Sequence, residues 1–406
     1  MIQRKRSGPR RREPALRSLK LTLTEACNLA CPYCYQRTRG AQSMSLDTLN
    51  RSLTLARRLG RGEVNVVLSG GEPLLAPDLV AAVLDAAVAS EITGPLLNVR
   101  LITNGTFLQS PLLERLVAAN ISVQVSCDGV AAAQDIRAPG SSSDIDRLLT
   151  TINQRHSCFW RRRFSIAMTV SPSNVEHLSK SVAWAFSHDV YKLEIGLACG
   201  LLADWGEQAC QMLAKQMERV LELSLQHLDR TERVPVTYLR PTSGAPGTRT
   251  EVCGAADPAA LAVDADGTVH GCGMLADVAR WHPSNRVGQA VDEMRLGNVA
   301  DPGFEELWRQ MSVQSPMALF PLADRKTKTG VCGDCPQRDD CLVCPVAGPD
   351  PQWAPDAHCL FARQALQHRR AIPHTSPVES LLSAAGVPTT LGAKLSHLVW
   401  QARQEI

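Results

Sequence analysis

A strand-like run leads directly into three closely spaced cysteines in the stretch Leu19-Lys20-Leu21-Thr22-Leu23-Thr24-Glu25-Ala26-Cys27-Asn28-Leu29-Ala30-Cys31-Pro32-Tyr33-Cys34. The cysteines follow a C-x3-C-x2-C spacing, and an aromatic residue precedes the last of them. Three thiolates so close in sequence can ligate three irons of a 4Fe-4S cube and leave the fourth iron without a protein ligand, which favours chemistry at the cluster. A zinc knuckle and a disulfide pair are the alternatives, although structural zinc sites usually have four ligands arranged in C-x2-C pairs.

Short apolar runs typical of β-strands alternate with amphipathic runs typical of helices from Leu19 to about Leu202. This alternation predicts an α/β fold with a parallel sheet, which right-handed crossovers roll into a partial (β/α)6 barrel of the TIM type. The predicted strands are Leu19–Leu23, Val64–Leu68, Asn98–Thr103, Ser122–Ser126, Ser165–Val170 and Lys192–Leu197. The predicted helices are Ser45–Leu59 with Ser45 as N-cap, Asp78–Ser90, Ser110–Ala119, Ser143–Arg155 and Val175–Ser187.

Polar and glycine-rich segments follow the first four predicted strands. After the cysteines come Ser69-Gly70-Gly71-Glu72-Pro73 behind the second strand, Asn104-Gly105-Thr106 behind the third, and Cys127-Asp128-Gly129 behind the fourth. The carboxyl ends of the strands meet at one edge of such a barrel, and active sites gather there. The sequence therefore predicts one catalytic domain with its site at this edge.

The second half of the chain has a different character. A helical stretch around Cys210–His227 precedes a loop-rich region, and Ala260–His270 predicts a β-hairpin with Asp266-Gly267 at its turn. Residues 321–360 are rich in cysteine and show little periodicity, so we expect metal to stabilise them. The sequence predicts four segments: a basic flexible segment (1–18), the barrel (19–230), a cysteine-rich domain (231–365) and a helical tail (366–406). The tail helices begin at about Ser376 and Thr390, and we expect them to pack on the body of the protein.

Composition narrows the class of protein. The chain has 406 residues, enough for two or three domains, with 44% apolar and 20% charged residues. The net charge of +3 is too small to indicate a nucleic-acid partner, and no apolar run is long enough to predict a membrane span. Fourteen cysteines without a signal peptide favour a reducing compartment, the cytoplasm, where clustered thiols are more often metal ligands or catalytic groups than disulfides.

The cysteine motif and the Gly-Gly-Glu segment together resemble the radical S-adenosylmethionine (SAM) superfamily across residues 19–202. The resemblance implies that Cys27, Cys31 and Cys34 ligate a 4Fe-4S cluster, whose open iron is chelated by the amino and carboxylate groups of S-adenosylmethionine. It also implies that Gly70, Gly71 and Glu72 hold the methionyl ammonium. The remaining residues that it assigns to the cofactor are Tyr33 near the adenine, Ser126 and Asp128 near the sugar or carboxylate, Arg137 as a carboxylate partner, and Asn104 as a further cofactor-binding residue.

Seven later cysteines resemble the SPASM extension of peptide-modifying radical SAM enzymes, which carries two auxiliary 4Fe-4S clusters. Leu296-Gly297-Asn298-Val299 and Glu305-Glu306-Leu307-Trp308 are similar to the segment that links the two halves of that extension. The resemblance implies one cluster held by Cys332, Cys335, Cys341 and Cys359, and a second with three ligands from Cys253, Cys272 and Cys344.

Three departures from the SPASM pattern carry consequences. Two residues, Leu342 and Val343, separate Cys341 from Cys344, where the family usually has three. No cysteine shortly precedes Cys253, so the second auxiliary cluster is either open for substrate or completed by a distant group such as Cys199 or Cys210. Gly273 stands where sulfatase-maturating members have an acidic residue, so their proposed proton acceptor is missing.

The resemblance implies a radical oxidoreductase. An electron from a reduced flavodoxin or ferredoxin leads to cleavage of S-adenosylmethionine, and the 5'-deoxyadenosyl radical removes a hydrogen from an unactivated carbon. Our leading hypothesis is oxidation or cross-linking of a ribosomally made peptide (RiPP maturation). Because about eighteen residues precede the first strand, we expect the barrel mouth, the tail helices or a separate protein to recognise that peptide.

Other functions remain open at this point. One is oxidation, epimerisation or rearrangement of a small molecule such as a sugar, an amino acid or an antibiotic precursor, and another is formylglycine formation. Epimerisation needs a thiol hydrogen donor, and the candidates are Cys127, Cys158, Cys199 and Cys210. A non-catalytic zinc-binding module is the alternative from another class, but it does not explain the Gly-Gly-Glu segment.

Overall fold

The computed structural model describes residues 15–34, 40–198, 205–240, 259–271, 295–313 and 357–372. Its strands are β1 (Leu16–Thr24), β2 (Gly60–Gly70), β3 (Leu96–Thr103), β4 (Ser122–Ser126), β5 (Phe164–Val170), β6 (Leu193–Leu197), β7 (Ala260–Val263), β8 (Thr268–His270) and β9 (Arg295–Asn298). Its helices are α1 (Leu46–Leu59), α2 (Pro77–Thr93), α3 (Ser110–Ala118), α4 (Ala131–Arg137), α5 (Ser142–Arg155), α6 (Ser157–Arg163), α7 (Leu178–Ser187), α8 (Glu207–Thr231), α9 (Phe304–Val313) and α10 (Ala357–Ala371).

One sheet contains all the described strands, in the order β6-β5-β4-β3-β2-β1-β7-β8-β9. The six strands predicted from the sequence pair in parallel, and this confirms the predicted parallel sheet. The predicted hairpin is also confirmed: β7 adds to β1 in parallel, and β8 returns antiparallel after a turn in which Gly267 has a φ of +85°. The second half of the chain thus extends the sheet of the first.

The sheet is curved enough to bring non-neighbouring strands together. Nη1 of Arg100 on β3 lies 3.7 Å from Oε1 of Glu194 on β6, with β4 and β5 between them. In a flat sheet these strands would be about 14 Å apart, so the contact requires the concave surface of a partial barrel. Burial raises the pKa of Glu194, but Lys192 and Arg100 outweigh it and the pKa is lowered.

The opposite face of the sheet packs against the helices. Leu19, Leu21 and Leu23 alternate along β1 and are fully buried in one apolar core with the helices, because side chains in a strand point to its two faces in turn. The N-cap predicted for α1 is confirmed, since the Thr48 N–H donates to Oγ of Ser45 over 3.0 Å. None of the helices in the described ranges is long and apolar enough to cross a bilayer.

Several boundaries differ from the prediction. Two short helices, α4 and α6, were not predicted, and the stretch predicted as Val175–Ser187 begins with a 3-10 turn at Val175–His177 before α7. Helix α10 was also not predicted, and it crosses the predicted limit of the cysteine-rich domain at residue 365. The domain limits remain a prediction, and the tail helices expected after Ser376 lie outside the described residues.

Candidate active site

The Gly-Gly-Glu segment is bonded through its backbone to the start of the cysteine loop. The Gly71 N–H donates to the Thr24 carbonyl and the Glu72 N–H donates to the Ala26 carbonyl, each over 2.8 Å. A Cβ on Gly70 would lie 2.3 Å from the Thr24 oxygen, and one on Gly71 would lie 2.2 Å from the Ala26 oxygen. Both glycines are therefore required for the close approach of the two loops.

The Glu72 side chain is fully buried and joins the end of β2 to the end of β3. Its carboxylate accepts hydrogen bonds from the Leu74 N–H (3.0 Å), the Thr103 hydroxyl (2.8 Å) and the Asn104 N–H (2.7 Å). Burial raises the pKa of Glu72, while these three donors act in the opposite direction. The predicted contact with a ligand ammonium stays a prediction, and the structure adds a role within the protein that the sequence did not indicate.

The three N-terminal thiols lie near one another without forming a disulfide. Cys31 is buried, whereas Cys27 and Cys34 are half-buried. Burial raises the pKa of Cys31, Arg137 lowers it, and the neighbouring thiols Cys34 and Cys27 raise it further. Among the described residues no three Cys, His, Asp or Glu side chains are close enough to hold a single metal ion.

Tyr33, Asp128 and Arg137 are brought together behind the cysteine loop. The Tyr33 hydroxyl donates to Oδ2 of Asp128, and Nη1 of Arg137 lies 3.3 Å from Oδ1 of Asp128 and 3.3 Å from the Tyr33 oxygen. The Thr169 N–H also donates to Asp128, over 2.9 Å. Burial raises the pKa of Tyr33, so the phenol keeps its proton and can donate it, and burial also raises the pKa of Asp128 while Arg137 lowers it. Ser126, at the end of β4, is half-buried.

One feature of this edge fits a bound amino-acid group. The buried Nε of Arg137 has no hydrogen-bond partner in the described part of the chain, so the guanidinium retains a donor for an anion such as a carboxylate. This feature agrees with the assignment of the edge to S-adenosylmethionine, whose individual contacts stay predictions.

The candidate thiol donors do not share one environment. Cys127 is fully buried in the apolar core, and burial raises its pKa to about 12. Cys158 lies exposed on α6, and the Cys210 thiol on α8 donates to the Trp205 carbonyl over 3.5 Å. Cys199 lies outside the described residues. Burial of Cys127 disfavours it as a donor to a substrate at the strand ends.

The predicted auxiliary-cluster ligands are mostly beyond the described residues. Cys359 lies in the first turn of α10. The hairpin that leads towards Cys272 is joined to the barrel by the pairing of β7 with β1 and by the Thr22 hydroxyl on β1, which donates to Oδ1 of Asp264 over 3.4 Å. Within the hairpin, Nε2 of His270 lies 3.3 Å from Oδ2 of the same carboxylate. The ligands outside the described ranges are Cys253, Cys272, Cys332, Cys335, Cys341 and Cys344.

Two family models match the chain. The radical SAM superfamily model matches residues 21–185, and the SPASM model, described as an iron-sulfur cluster-binding domain, matches residues 253–336. The fold and the cysteine loop thus define an iron-sulfur enzyme built on a partial barrel. The chain belongs to the radical SAM superfamily and carries a SPASM domain. The two families identify its cofactors as S-adenosylmethionine and 4Fe-4S clusters, one in the barrel and the auxiliary ones in the SPASM domain.

Curated relatives match this chain over different lengths. The mycofactocin maturase MftC of Mycobacterium ulcerans is 27% identical over 81% of this chain and 85% of its own length. The GTP 3',8-cyclase of Synechococcus sp. is 34% identical, but over only 34% of this chain and 42% of its own length. The PqqA peptide cyclase of Gluconobacter oxydans is 36% identical over 30% of this chain and 33% of its own length. This chain therefore spans less than half the length of two of these three relatives.

Solved structures share the fold at low sequence identity. The structure of anSMEcpe with bound AdoMet and Cp18Cys peptide has a TM-score of 0.66 at 17% identity and covers 87% of this chain and 96% of that one. Streptococcus suis SuiB bound to its precursor peptide SuiA has a TM-score of 0.58 at 15% identity and covers 86% of this chain and 76% of that one.

Proposed function

We propose that this protein modifies a ribosomally made peptide by oxidation or cross-linking. The observation that carries the proposal is the match to the maturase MftC, which extends through 81% of the chain and so includes both the barrel and the SPASM domain. The matches to GTP 3',8-cyclases cover only about a third of the chain. They support the shared radical chemistry and not a nucleotide substrate.

In this proposal Cys27, Cys31 and Cys34 hold the 4Fe-4S cluster, and the backbone at Gly70-Gly71 holds the methionyl group. When bound, the cluster and S-adenosylmethionine supply a 5'-deoxyadenosyl radical that abstracts a hydrogen from the peptide. The chain positions these groups: Glu72 fixes the end of β2 against β3, and the backbone bonds from Gly71 and Glu72 fix the cysteine loop. Arg137 retains a donor for the methionyl carboxylate.

The concave face of the barrel receives the peptide in this proposal. Its polar groups, such as the Arg100–Glu194 pair, suit a backbone and polar side chains, and its walls keep water from a reactive intermediate. A reduced flavodoxin or ferredoxin is the electron donor that we propose. The cysteine-rich composition and an oxygen-sensitive cluster support a reducing location such as the cytoplasm.

Anaerobic incubation with S-adenosylmethionine, a reductant and candidate precursor peptides tests the proposal. Mass spectrometry is expected to show 5'-deoxyadenosine and a peptide that has lost two hydrogen atoms. An unchanged peptide mass with deuterium gained from solvent would indicate epimerisation, and turnover of a free small molecule but of no peptide would overturn the peptide assignment.

The matched control replaces all three ligands, in a Cys27→Ala/Cys31→Ala/Cys34→Ala variant. It is expected to form no 5'-deoxyadenosine while it keeps the iron of the auxiliary clusters. If that variant retained the full iron content and formed the nucleoside, the assigned ligands would be wrong.

A further inference from the structure

Three polar side chains form a closed ring of hydrogen bonds beside Cys27. Nδ2 of Asn104 donates to Oδ1 of Asn28 over 2.8 Å, and Nδ2 of Asn28 donates to the Thr106 hydroxyl over 2.9 Å. The Thr106 hydroxyl donates in turn to Oδ1 of Asn104 over 2.6 Å. Because Asn28 directly follows the first cysteine and the other two follow β3, the ring ties the cysteine loop to the third strand end.

The ring also fixes which atom of the Asn104 amide faces the thiol. The Thr106 N–H, which can only donate, lies 2.9 Å from Oδ1 of Asn104. The oxygen is thereby identified, and the amide cannot be flipped without setting one donor against another. Nδ2 must then point towards the cysteine loop, where it lies 3.9 Å from Sγ of Cys27.

The environment of Cys27 differs from that of the next cysteine. Cys27 faces two neutral donors, the Asn104 amide and the Leu29 N–H at 3.4 Å. Cys31 is buried and is influenced by the charge of Arg137. A hydrogen-bond donor to Cys27 therefore affects one of the three ligand sulfurs of a cluster held by these cysteines.

We propose that Asn104 is a positioning residue that donates an N–H···S hydrogen bond to the Cys27 thiolate and so raises the reduction potential of the cluster. Reduction adds negative charge to the iron-sulfur unit, and a donor to a ligand sulfur stabilises the more negative state. Asn104 thereby eases uptake of the electron on which the reaction depends. This inference rests on the proposed cluster at Cys27, Cys31 and Cys34.

The test is a redox titration of the intact protein followed by EPR, with two substitutions of Asn104 and one control. Asn104→Asp keeps the shape and the acceptor for Thr106 but removes the N–H donors, and Asn104→Ala removes the whole amide. Both variants are expected to shift the midpoint potential of the S-adenosylmethionine cluster to more negative values, with the larger shift for Asn104→Asp because of its charge. The auxiliary clusters serve as internal references and are expected to keep their potentials.

Thr106→Val is the matched control. It opens the ring, but the Thr106 N–H still holds Oδ1 of Asn104, so the potential is expected to stay at the wild-type value. Equal potentials in wild type, Asn104→Ala and Asn104→Asp, with the cluster present, would overturn the proposal. An equal shift in Thr106→Val would also overturn it, because the effect would then come from the loop and not from the donor.

A second measurement needs no substitution that could prevent cluster assembly. Pulsed EPR of the reduced wild-type protein, labelled with 15N in its asparagine side chains, is expected to show weak nitrogen coupling to the cluster spin. Absence of that coupling would count against the hydrogen bond. If instead the Cys27→Ala/Cys31→Ala/Cys34→Ala variant gave the same EPR signals as wild type, the proposed cluster site itself would fail, which is a separate outcome.

Discussion

Two buried carboxylates at the carboxyl edge of the sheet, Glu72 and Asp128, are held in opposite ways. Glu72 accepts from two backbone N–H groups and one hydroxyl, all of them neutral. Asp128 lies beside the guanidinium of Arg137 and also accepts from the phenol of Tyr33. Burial raises the pKa of both carboxyls and the charge of Arg137 lowers both, yet of the two only Asp128 forms an ion pair with Arg137 in the described part of the chain.

Glu72 and Asp128 therefore have different roles at the carboxyl edge of the sheet. The neutral donors around Glu72 belong to strand ends, so this carboxylate sets the relative position of β2 and β3. The ion pair of Asp128 and Arg137 leaves the guanidinium Nε without a partner among the described residues, so this pair can respond to a bound anion. We therefore expect the two sites to respond differently when their charge is removed.

The largest effect is expected for Asp128→Asn. Arg137, whose side chain is only 11% exposed, would keep a buried charge without its counter-ion, and breaking such a pair costs about 3–5 kcal/mol. The thermal midpoint, followed by circular dichroism under anaerobic conditions, is expected to fall sharply. Asp144→Asn is the control, because Asp144 is exposed and pairs with the exposed Arg147; a comparable loss in both variants would contradict the distinction.

The next largest effect is expected for Gly71→Ala. Its methyl group would collide with the Ala26 carbonyl, which belongs to backbone and not to a flexible side chain. Overpacking of this kind costs about 1–3 kcal/mol, and we expect loss of iron from the N-terminal cluster because the cysteine loop must shift. Gly196→Ala is the matched control, since a Cβ there meets nothing within 4 Å. Iron analysis that shows equal loading in both variants would refute the steric argument.

Much of this edge was predictable from sequence because its signals are local. The alternation of leucines along β1, the Ser45 cap and the Asp266-Gly267 turn each follow from a few neighbouring residues, and the structure confirms them. The hydrogen-bond partners of Glu72 were not predictable, because the Thr103 hydroxyl lies thirty-one positions away in sequence and is brought close only by the pairing of β2 with β3.

Helix α10 was not predicted from the sequence for a different reason. Its buried side chains include Ala362, Ala365 and Leu366, which follow a helical spacing, but alanines contribute a weak apolar signal. The surrounding cysteines and prolines also suggested a region without regular structure. The helix packs on α8, where Nε2 of His368 lies 3.1 Å from Oε1 of Glu218, a tertiary contact that sequence periodicity does not reveal.

The smallest of the three effects is expected for Glu72→Gln. Oε1 accepts from the Leu74 N–H and Oε2 from the Asn104 N–H, so an amide at this position leaves one backbone donor without an acceptor in either orientation. The expected cost is about 1–2 kcal/mol, smaller than for Asp128→Asn because no buried charge is left behind. Thermal midpoints measured by circular dichroism are expected to show a smaller loss for Glu72→Gln than for Asp128→Asn. Thr103→Ser is the control, because it keeps the hydroxyl that donates to Glu72, and its thermal midpoint is expected to stay near the wild-type value. A higher KM for S-adenosylmethionine with unchanged stability would instead assign the carboxylate to the methionyl ammonium, and would reverse the distinction between the two carboxylates.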